Sequence, residues 1–425
     1  MILNVRPVKQ IKGSILLPAS KSYSIRAVII AACGGNSQIK CLSNCDDAAI
    51  AVKTAVDLGT KVDQQDKILS LRAALKPFVK YKVFNVGESG TTLRFLLPLL
   101  PLHVPSALVK GKKTLVGRPN AHLCASLREC GLNIRGVSDK ESVPIAYKGG
   151  LLKSGKIVID GSLSSQFISA LLIAAPRLKG DTRLVITGDT LVSQDYIIMT
   201  MQILAKAGIK VVQVSSREYF IKGNQSFKGL KNFCVPADYG LAAFPMAAAA
   251  LLPSTVTLKG HLPKDLIQSD GHILEFFASM GIKFQKTDKG IKINGPFDLK
   301  GGTFSLKDCP DLVPIMAVVA LFAKGQTILK DIHHARAKES DRISDLRQEL
   351  LKVGARVAET SNALIIDPQV SYKTGQLLDA HHDHRLAMAF TVLGLRIGCK
   401  VKGIESSHKS YPGFVKDMQV LKALK

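Results

Sequence analysis

The chain has 425 residues, and its composition of 46% hydrophobic and 21% charged residues excludes a disordered or fibrous protein. Lys and Arg total 58 against 33 Asp and Glu, so the formal net charge of +25 favours anionic partners such as phosphorylated or carboxylated substrates. Aromatic residues make up only 6% and Trp is absent, which gives little support to single-stranded nucleic-acid binding by base stacking.

The N-terminal sequence MILNVRPVKQIKGSILLP lacks the basic start, the apolar stretch and the cleavage site of a signal peptide. The longest apolar stretch, residues 95–109, contains three prolines and is shorter than the roughly 18 residues that a membrane span needs. None of the eight Cys belongs to a CxxC pair, and a chain of this length needs no disulfides. We therefore expect a cytoplasmic protein with reduced, mostly buried thiols and no membrane contact.

A weak repeat runs along the chain, and each copy opens with a β-type run, a polar cluster and an Ala/Leu-rich helical stretch. A turn and a second β-type run follow, and then come an amphipathic helix and two closing strands. The openings lie 68 to 76 residues apart and begin at Ile15, Val83, Ile157, Phe233, Phe304 and Leu377. This order predicts six βαβαββ units.

In the first five copies the second helix is predicted to end at a glycine: Gly59, Gly131, Gly208, Gly281 and Gly354. The sixth copy stops after its second helix, so we expect the N-terminal segment to supply its closing strand. Six units are too many for one core. We therefore predict an α/β fold of two lobes with three repeats each, 15–225 and 226–425 plus 1–14.

Polar residues cluster at the predicted helix starts, where free backbone N–H groups and the helix dipole bind anions. A single Ser, Thr or Asp at such a place is more often only an N-cap. A Lys or Arg opposes the dipole, and six cations do so: Lys21, Arg118, Lys338, Arg342, Arg385 and Lys409. Together they predict a site for a polyanionic ligand.

Six motifs occur in the order KSYSIRA, GESGTTLR, GRPNAHL, GSLSSQF, ARAKESDR and DHRLAMAF. From residue 5 to residue 415, the chain resembles the EPSP synthase family, the 3-phosphoshikimate 1-carboxyvinyltransferases. The resemblance implies the enolpyruvyl transferase fold, an inside-out α/β barrel whose two lobes have pseudo-threefold symmetry.

The resemblance also implies the reaction. The enolpyruvyl group of phosphoenolpyruvate passes to the 5-hydroxyl of shikimate 3-phosphate through a tetrahedral intermediate, and phosphate is released. This step belongs to the shikimate pathway, which leads to chorismate and the aromatic amino acids. The family needs no metal or organic cofactor, and we expect a monomer.

By this resemblance, shikimate 3-phosphate would contact Lys21, Ser22, Arg26, Ser164, Ser165, Gln166, Ser193, Tyr196, Asp311 and Lys338. Phosphoenolpyruvate would contact Lys21, Gly90, Arg118, Gln166, Arg342, Arg385 and Lys409. Lys21 would also donate a proton, Asp311 would accept the 5-hydroxyl proton, and Glu339 would exchange protons at C3. The alternatives are a helix cap for Asp311 and a surface charge for Glu339.

Three residues depart from the common family pattern: Glu88 and His334 replace frequent Asn residues, and Ala19 replaces a frequent Gly. A carboxylate at position 88 would repel phosphoenolpyruvate. We therefore expect Glu88 to pair with a cation, with Arg94 the nearest candidate in the sequence, or to turn outward.

Three other functions compete with this interpretation. The sister enzyme that transfers enolpyruvyl to UDP-N-acetylglucosamine typically has a reactive loop Cys, whereas Cys124 and Cys130 fall in a helical pattern. No nucleic-acid-binding module is visible, which argues against a primary role in binding RNA or DNA. The contiguous side chains of residues 381–384, His-His-Asp-His, cannot all face one zinc ion.

Overall fold

The computed structural model of the chain describes residues 1–73, 78 and 80–424. These residues form two compact units, which we call the N unit (Ala19–Val235) and the C unit (Met1–Pro18 with Pro236–Lys425). The unit boundaries fall after residues 18 and 235, whereas the sequence predicts them after residues 14 and 225. Strand pairing described below accounts for this difference.

Two strands, β1 (Ile2–Val5) and β2 (Ile11–Leu16), precede the N unit and belong to the C unit. The elements of the N unit are α1 (Lys21–Ala32), β3 (Asn36–Lys40), α2 (Asp46–Asp57), β4 (Lys61–Gln65), β5 (Ile68–Arg72), β6 (Lys82–Asn85), α3 (Gly90–Leu96), β7 (Ala107–Lys110), α4 (Ala121–Glu129), β8 (Leu132–Val137), β9 (Ser142–Gly150), β10 (Gly155–Asp160), α5 (Ser165–Ala174), β11 (Thr182–Thr187), α6 (Gln194–Lys206), β12 (Val211–Ser215), β13 (Glu218–Ile221) and β14 (Phe233–Cys234).

The C unit continues with α7 (Tyr239–Leu251), β15 (Ser254–Lys259), α8 (Ile273–Ser279), β16 (Phe284–Thr287), β17 (Gly290–Ile293), β18 (Thr303–Ser305), α9 (Val313–Ala320), β19 (Thr327–Lys330), α10 (Arg342–Lys352), β20 (Arg356–Glu359), β21 (Ala363–Asp367), β22 (Gln376–Asp379), α11 (His384–Ile397), β23 (Cys399–Lys402) and α12 (Phe414–Val420). Short 3-10 helices include Pro310–Leu312, His333–Ala337 and Ile404–Lys409.

The sheets follow the predicted repeat. The N unit has the strand orders β14-β3-β5-β4, β6-β7-β9-β8 and β10-β11-β13-β12, and the C unit has β16-β17-β15-β2, β18-β19-β21-β20 and β1-β23-β22. In the second repeat, β6 runs parallel to β7, while β9 runs antiparallel to both β7 and β8. This is the arrangement that a βαβαββ unit produces.

The first and fourth repeats exchange their opening strands. Strand β2 opens the first repeat but pairs in parallel with β15 of the C unit, whereas β14 opens the fourth repeat but pairs in parallel with β3 of the N unit. The chain therefore passes between the units after each opening strand rather than before it, which moves both boundaries toward the C-terminus. Strand β1 pairs antiparallel with β23 in the sheet of the sixth repeat, with Ile2 opposite Lys402.

The first helix of each repeat is buried and the sheets are exposed on one face. Every residue of α7 is buried, and α7, α9 and α11 pack on one another. In the N unit, α3 packs against α1 and α5. The strands are amphipathic, as in β6, where Phe84 is buried and Val83 is exposed. Apolar helices inside and two-faced sheets outside explain the Ala/Leu-rich stretches in the sequence.

The second helices end where the sequence predicts. All five predicted glycines have φ between 79° and 99°, a left-handed conformation that L-residues with a Cβ rarely adopt. The glycine caps therefore fix the directions in which the closing strands leave the helices. Among the described residues, no helix combines the length and the apolar character that a membrane crossing needs.

Candidate active site

In the N unit, Lys21 is the first residue of α1, at the place where the sequence predicts a helix start. Its Nζ lies 3.3 Å from Oδ2 of Asp47 in the first turn of α2, and the Lys21 side chain is largely buried. The carboxylate offsets part of the unfavourable interaction between the lysine and the dipole of α1.

Arg26 lies one turn further along α1 and is fully buried among neutral partners. Its Nε donates to Thr200 Oγ1 at 2.8 Å, while its Nη1 and Nη2 donate to the carbonyl oxygens of Ser22 and Tyr196 at 3.1 and 3.3 Å. The guanidinium also stacks near the rings of Phe95 and Tyr196. Burial lowers the pKa of Arg26 to about 10, because none of these partners carries a full negative charge.

A second buried arginine, Arg94, joins the starts of α3 and α5. Its Nη1 donates to Gln166 Oε1 at 2.7 Å and its Nε donates to Asn120 Oδ1 at 3.2 Å. Gln166 in turn donates from Nε2 to Thr91 Oγ1, and the N-cap Ser164 accepts the backbone N–H of Gln166. Arg94 thus positions the Gln166 side chain, and the sequence signal for this contact is a charged residue within the apolar run LRFLL.

Glu88 pairs with a cation, as expected, and one such cation is Lys113. Its Oε1 lies 3.4 Å from Lys113 Nζ, and its Oε2 accepts a hydrogen bond from Thr114 Oγ1 at 2.8 Å. Arg94, the candidate nearest in the sequence, donates to Gln166 and Asn120, and its pairing with Glu88 stays a prediction.

Close to Glu88, Gly90 begins α3 and lies against Arg118. A Cβ at position 90 would lie 3.0 Å from Nη1 of Arg118, so the arginine approaches the backbone of the helix start closely. Ser193 is the N-cap of α6 and has φ of 56°, and Tyr196 lies in the first turn of that helix.

In the C unit, Arg342 is the first residue of α10 and is surrounded by carboxylates. Its Nε donates to Asp383 Oδ2 at 2.7 Å, its Nη1 to Asp311 Oδ1 at 2.6 Å and its Nη2 to Glu339 Oε2 at 3.0 Å. Burial opposes the charge of Arg342, but the three carboxylates together raise its pKa well above the usual value.

Arg385, the second residue of α11, shares one of these carboxylates. Its Nη2 donates to Asp311 Oδ2 at 2.9 Å, and its Nη1 donates to the carbonyl oxygen of Gly240 at 2.7 Å. Asp311 therefore bridges Arg342 and Arg385. The carboxylate of Asp383 both pairs with Arg342 and caps α11 by accepting the N–H of Arg385.

A further buried carboxylate, Asp270, lies beside Arg385, with 3.6 Å between its Oδ2 and Nη2. Burial raises the pKa of Asp270 to about 7, with Arg385 acting against this shift and the charges of Asp311 and Asp238 adding to it. Sequence reasoning missed both Asp270 and Asp383. Asp383 could have been identified from the sequence, since it lies in the DHRLAMAF motif, whereas no sequence pattern marks Asp270.

Three predicted helix-start cations lie before the helices rather than at their first residues. Arg118 precedes α4, which begins at Ala121; Lys338 follows a 3-10 helix and precedes α10; and Lys409 ends a 3-10 helix before α12. Irregular segments separate these cations from the helices, so their charges need not oppose the dipoles. The dipole argument applies to Lys21, Arg342 and Arg385.

His334 is buried beside this cluster, and neither of its ring nitrogens has a hydrogen-bond partner within the described residues. Burial, assisted by the charges of Lys338 and His333, lowers the pKa of His334 to about 2, so the ring is neutral. The Glu339 side chain is only 9% exposed, so it is not a fully exposed surface charge. In the part of the chain that the structure describes, no group of His, Cys, Asp and Glu is arranged to hold a metal ion.

Comparisons with known proteins agree with these motifs. A family model described as EPSP synthase (3-phosphoshikimate 1-carboxyvinyltransferase) matches residues 5–418. The chain belongs to the EPSP synthase family. Relatives named 3-phosphoshikimate 1-carboxyvinyltransferase include one from Methanococcus maripaludis, 34% identical over 98% of both chains, and one from a Sulfurovum species, 33% identical over 97% of both chains.

Solved structures show the fold. EPSP synthase from Acinetobacter baumannii superposes with a TM-score of 0.79 at 24% identity, covering 99% of this chain and 98% of its own. The enolpyruvyl transferase NikO from Streptomyces tendae gives a TM-score of 0.79 at 16% identity, covering 99% of this chain and 97% of its own. The enolpyruvyl transferase fold expected from the sequence is confirmed.

Proposed function

We propose that this member of the EPSP synthase family transfers the enolpyruvyl group of phosphoenolpyruvate to the 5-hydroxyl of shikimate 3-phosphate. The hydroxyl oxygen bonds to C2 while C3 takes a proton, and the tetrahedral intermediate then loses phosphate and the added C3 proton or its equivalent. The observation that carries the assignment of residues is Asp311, a carboxylate bridging Arg342 and Arg385 in segments that bear family motifs.

Shikimate 3-phosphate is bound in this proposal by hydroxyl groups, free backbone N–H groups and cations. Ser164 and Ser165 lie at the start of α5, where hydroxyls and free backbone N–H groups favour a phosphate or a carboxylate. Arg26 is a buried cation among neutral groups, so an anion nearby would lower the free energy of its charged form. The remaining contacts in this proposal are Lys21, Ser22, Gln166, Ser193, Tyr196, Asp311 and Lys338.

Phosphoenolpyruvate is held by cations, in this proposal Lys21, Arg118, Arg342, Arg385 and Lys409, with Gln166 and the backbone at Gly90. Arginines suit this ligand because the planar guanidinium pairs with carboxylate and phosphate oxygens in a bidentate manner. Arg342 and Arg385 already have carboxylate partners, which orient both guanidinium groups before the substrate arrives.

Proton transfer is assigned to Asp311, Glu339 and Lys21. Two arginines stabilise Asp311 as a carboxylate, so it can accept a proton from the 5-hydroxyl. Glu339 accepts a hydrogen bond from Arg342 and exchanges protons at C3. Lys21 donates a proton as the reaction proceeds. The cytoplasmic location and the monomeric state expected from the sequence remain predictions.

The test measures phosphate release by the purified protein with both substrates, with each alone, and with UDP-N-acetylglucosamine in place of shikimate 3-phosphate. We expect release only with phosphoenolpyruvate and shikimate 3-phosphate together. Asp311→Asn should lower kcat by roughly 10²-fold or more, a typical loss for a general base. The matched control Asp298→Asn, at a highly exposed carboxylate of the same unit, should retain activity. Release with the UDP sugar would reassign the acceptor.

A further inference from the structure

Two cysteines lie at the ends of neighbouring strands in the sheet β14-β3-β5-β4. Cys234 is the last residue of β14 and is opposite Lys40, the last residue of β3, so Cys41 is one residue beyond its partner. The backbone N–H of Val235 donates to the carbonyl oxygen of Lys40 at 3.0 Å, which continues the pairing past Cys234. Adjacent strands are about 4.8 Å apart. A disulfide joins Cα atoms about 4.4–6.8 Å apart, so this pairing brings the two residues into range.

The two thiols are neighbours and differ in exposure. Burial, together with the interaction with the neighbouring Cys41 thiol, raises the pKa of Cys234 to about 11, and the Cys234 Sγ donates to the carbonyl oxygen of Val235 at 3.9 Å. Cys41 is exposed and has φ of 57° in the turn after β3, and Cys234 is half-buried. The other six cysteines are buried, and all eight are free thiols. Cys41 and Cys234 are therefore the accessible cysteines, and they lie beside each other at the ends of paired strands.

We propose that Cys41 and Cys234 form a modification site, at which a low-molecular-weight disulfide converts the two thiols into an intramolecular disulfide. The Cys41 thiolate attacks one sulfur of the reagent and releases the first small thiol, leaving a mixed disulfide on Cys41. The Cys234 thiolate then attacks the Cys41 sulfur and releases the second. Two protein thiols are oxidised, the reagent is reduced to two thiols, and two protons pass from the cysteines to the products.

The order of the steps follows from exposure. Cys41 is the sulfur that a reagent in solution can reach, whereas Cys234 is covered in part and lies beside Cys41. The high pKa of the Cys234 thiol keeps its thiolate fraction small at neutral pH, so the second step should quicken as the pH rises. The disulfide closes a loop from residue 41 to residue 234, which contains most of the N unit. Closing so long a loop restricts the unfolded chain and should raise the Tm.

The experiment treats the reduced, folded protein with glutathione disulfide, blocks the remaining thiols by alkylation, and maps the unreduced peptides by mass spectrometry. We expect one linked pair of peptides, containing Cys41 and Cys234, with two hydrogen atoms fewer than the separate peptides. The oxidised protein should show a higher Tm, and a dithiol should reverse both changes. Cys130→Ala, at a buried cysteine of the same unit, should form the same link.

The single variants separate the two steps. Cys234→Ser should stop at a glutathione adduct on Cys41, whereas Cys41→Ser should react little with the reagent. A stable adduct on Cys41 of the unsubstituted protein would overturn the proposal, because the second step would then fail. A link between two molecules through Cys41, or no reaction at either thiol, would overturn it as well.

Discussion

Two fully buried arginines show how the units differ. In the N unit, Arg26 donates to a hydroxyl and two carbonyl oxygens, and burial lowers its pKa to about 10. In the C unit, Arg342 donates to three carboxylates, which raise its pKa well above the usual value despite equal burial. The charge of the partners, and not the degree of burial, decides the direction of the shift.

This difference suggests two roles for buried cations in the proposed reaction. A cation among neutral groups gains free energy when an anionic ligand binds, so it suits ligand capture. A cation among carboxylates is already neutralised, so it contributes less net attraction. Instead it fixes the positions of the carboxylates, here Asp311 and Glu339, which the proposed function uses for proton transfer.

The largest loss of folding stability is expected when the charge of Arg342 is removed. Arg342→Met leaves three carboxylates near one another without their cation, which should lower the free energy of unfolding by about 3–5 kcal/mol. Arg26→Met leaves only neutral acceptors unpaired, so its loss should be smaller, about 1–3 kcal/mol. Urea unfolding at pH 7 measures both losses.

A matched control is Arg336→Met, because Arg336 pairs with Asp341 and Glu359 but is partly exposed. Its loss should stay below about 1 kcal/mol, as for other solvent-accessible ion pairs. If Arg26→Met and Arg342→Met lowered the free energy of unfolding equally, the charge of the partners would not determine how much each arginine contributes to stability.

The second prediction concerns pH and uses Asp270, whose folded-state pKa is raised to about 7, mainly by burial. Between its unfolded value near 4 and this pKa, the folded protein holds a proton that the unfolded chain has lost. The stabilisation from this proton is complete below the unfolded pKa and is lost as the pH rises through 7. Within that window the stability should fall by up to about 1.4 kcal/mol per pH unit.

Asp270→Asn removes this titration while keeping the size of the side chain. Relative to the unsubstituted protein, the variant should be more stable at pH 8 than at pH 5. Urea unfolding at both values measures the difference. Asp298→Asn, at an exposed carboxylate, serves as the control and should show the same pH dependence as the unsubstituted protein. A constant offset between Asp270→Asn and the unsubstituted protein would show that Asp270 does not titrate in this range.

Local sequence signals predicted the repeats of the fold well. The pairing of strands that are distant in the sequence could not be predicted from them. The period of the openings and the glycine caps gave the six repeats, because strand alternation, helix burial and left-handed caps are local properties. The exchange of β2 and β14 could not be predicted, because all six openings carry the same pattern. Which sheet a strand joins depends on tertiary contacts that the repeat does not encode.

In the candidate site, too, local sequence signals identified residues but not their partners in the folded chain. Lys21, Arg342 and Arg385 were predicted because each is a cation at a helix start, where the dipole disfavours it. Their carboxylate partners were harder to find, since an Asp at such a place is expected as an N-cap, which Asp383 also is. Asp270 lies far from Arg385 in the sequence, and only the folded chain brings the two together.

The third prediction concerns Gly240, near the start of α7. A Cβ there would lie 2.0 Å from Asp270 Oδ2 and 2.9 Å from Arg385 Nη1, and both side chains are buried. Gly240→Ala should therefore lower the free energy of unfolding by about 1–3 kcal/mol, as overpacking of a tight site does. The Tm from thermal unfolding and the rate of phosphate release should both decrease. The control Gly302→Ala, where the nearest atoms lie at 3.4 Å, should change stability by less than about 0.5 kcal/mol.

Gly90 begins α3 of the N unit and provides the matching test with the smallest expected effect on stability. A Cβ there would lie 3.0 Å from Nη1 and 3.2 Å from Cζ of Arg118, which form the end of a long side chain that can shift by a few tenths of an ångström. Gly90→Ala should thus change the free energy of unfolding by less than about 1 kcal/mol, and the better helix propensity of Ala offsets part of the strain.

Movement of the Arg118 guanidinium should affect ligand binding more than folding, because the proposed function assigns this group to phosphoenolpyruvate. The KM for phosphoenolpyruvate should rise by about tenfold, which corresponds to roughly 1.4 kcal/mol, while the KM for shikimate 3-phosphate stays unchanged. Steady-state kinetics with each substrate varied in turn measures both values. If Gly90→Ala instead destabilised the fold as strongly as Gly240→Ala and left both KM values unchanged, the arginine at position 118 would be as rigidly held as Arg385, and the contrast between the units would not extend to it.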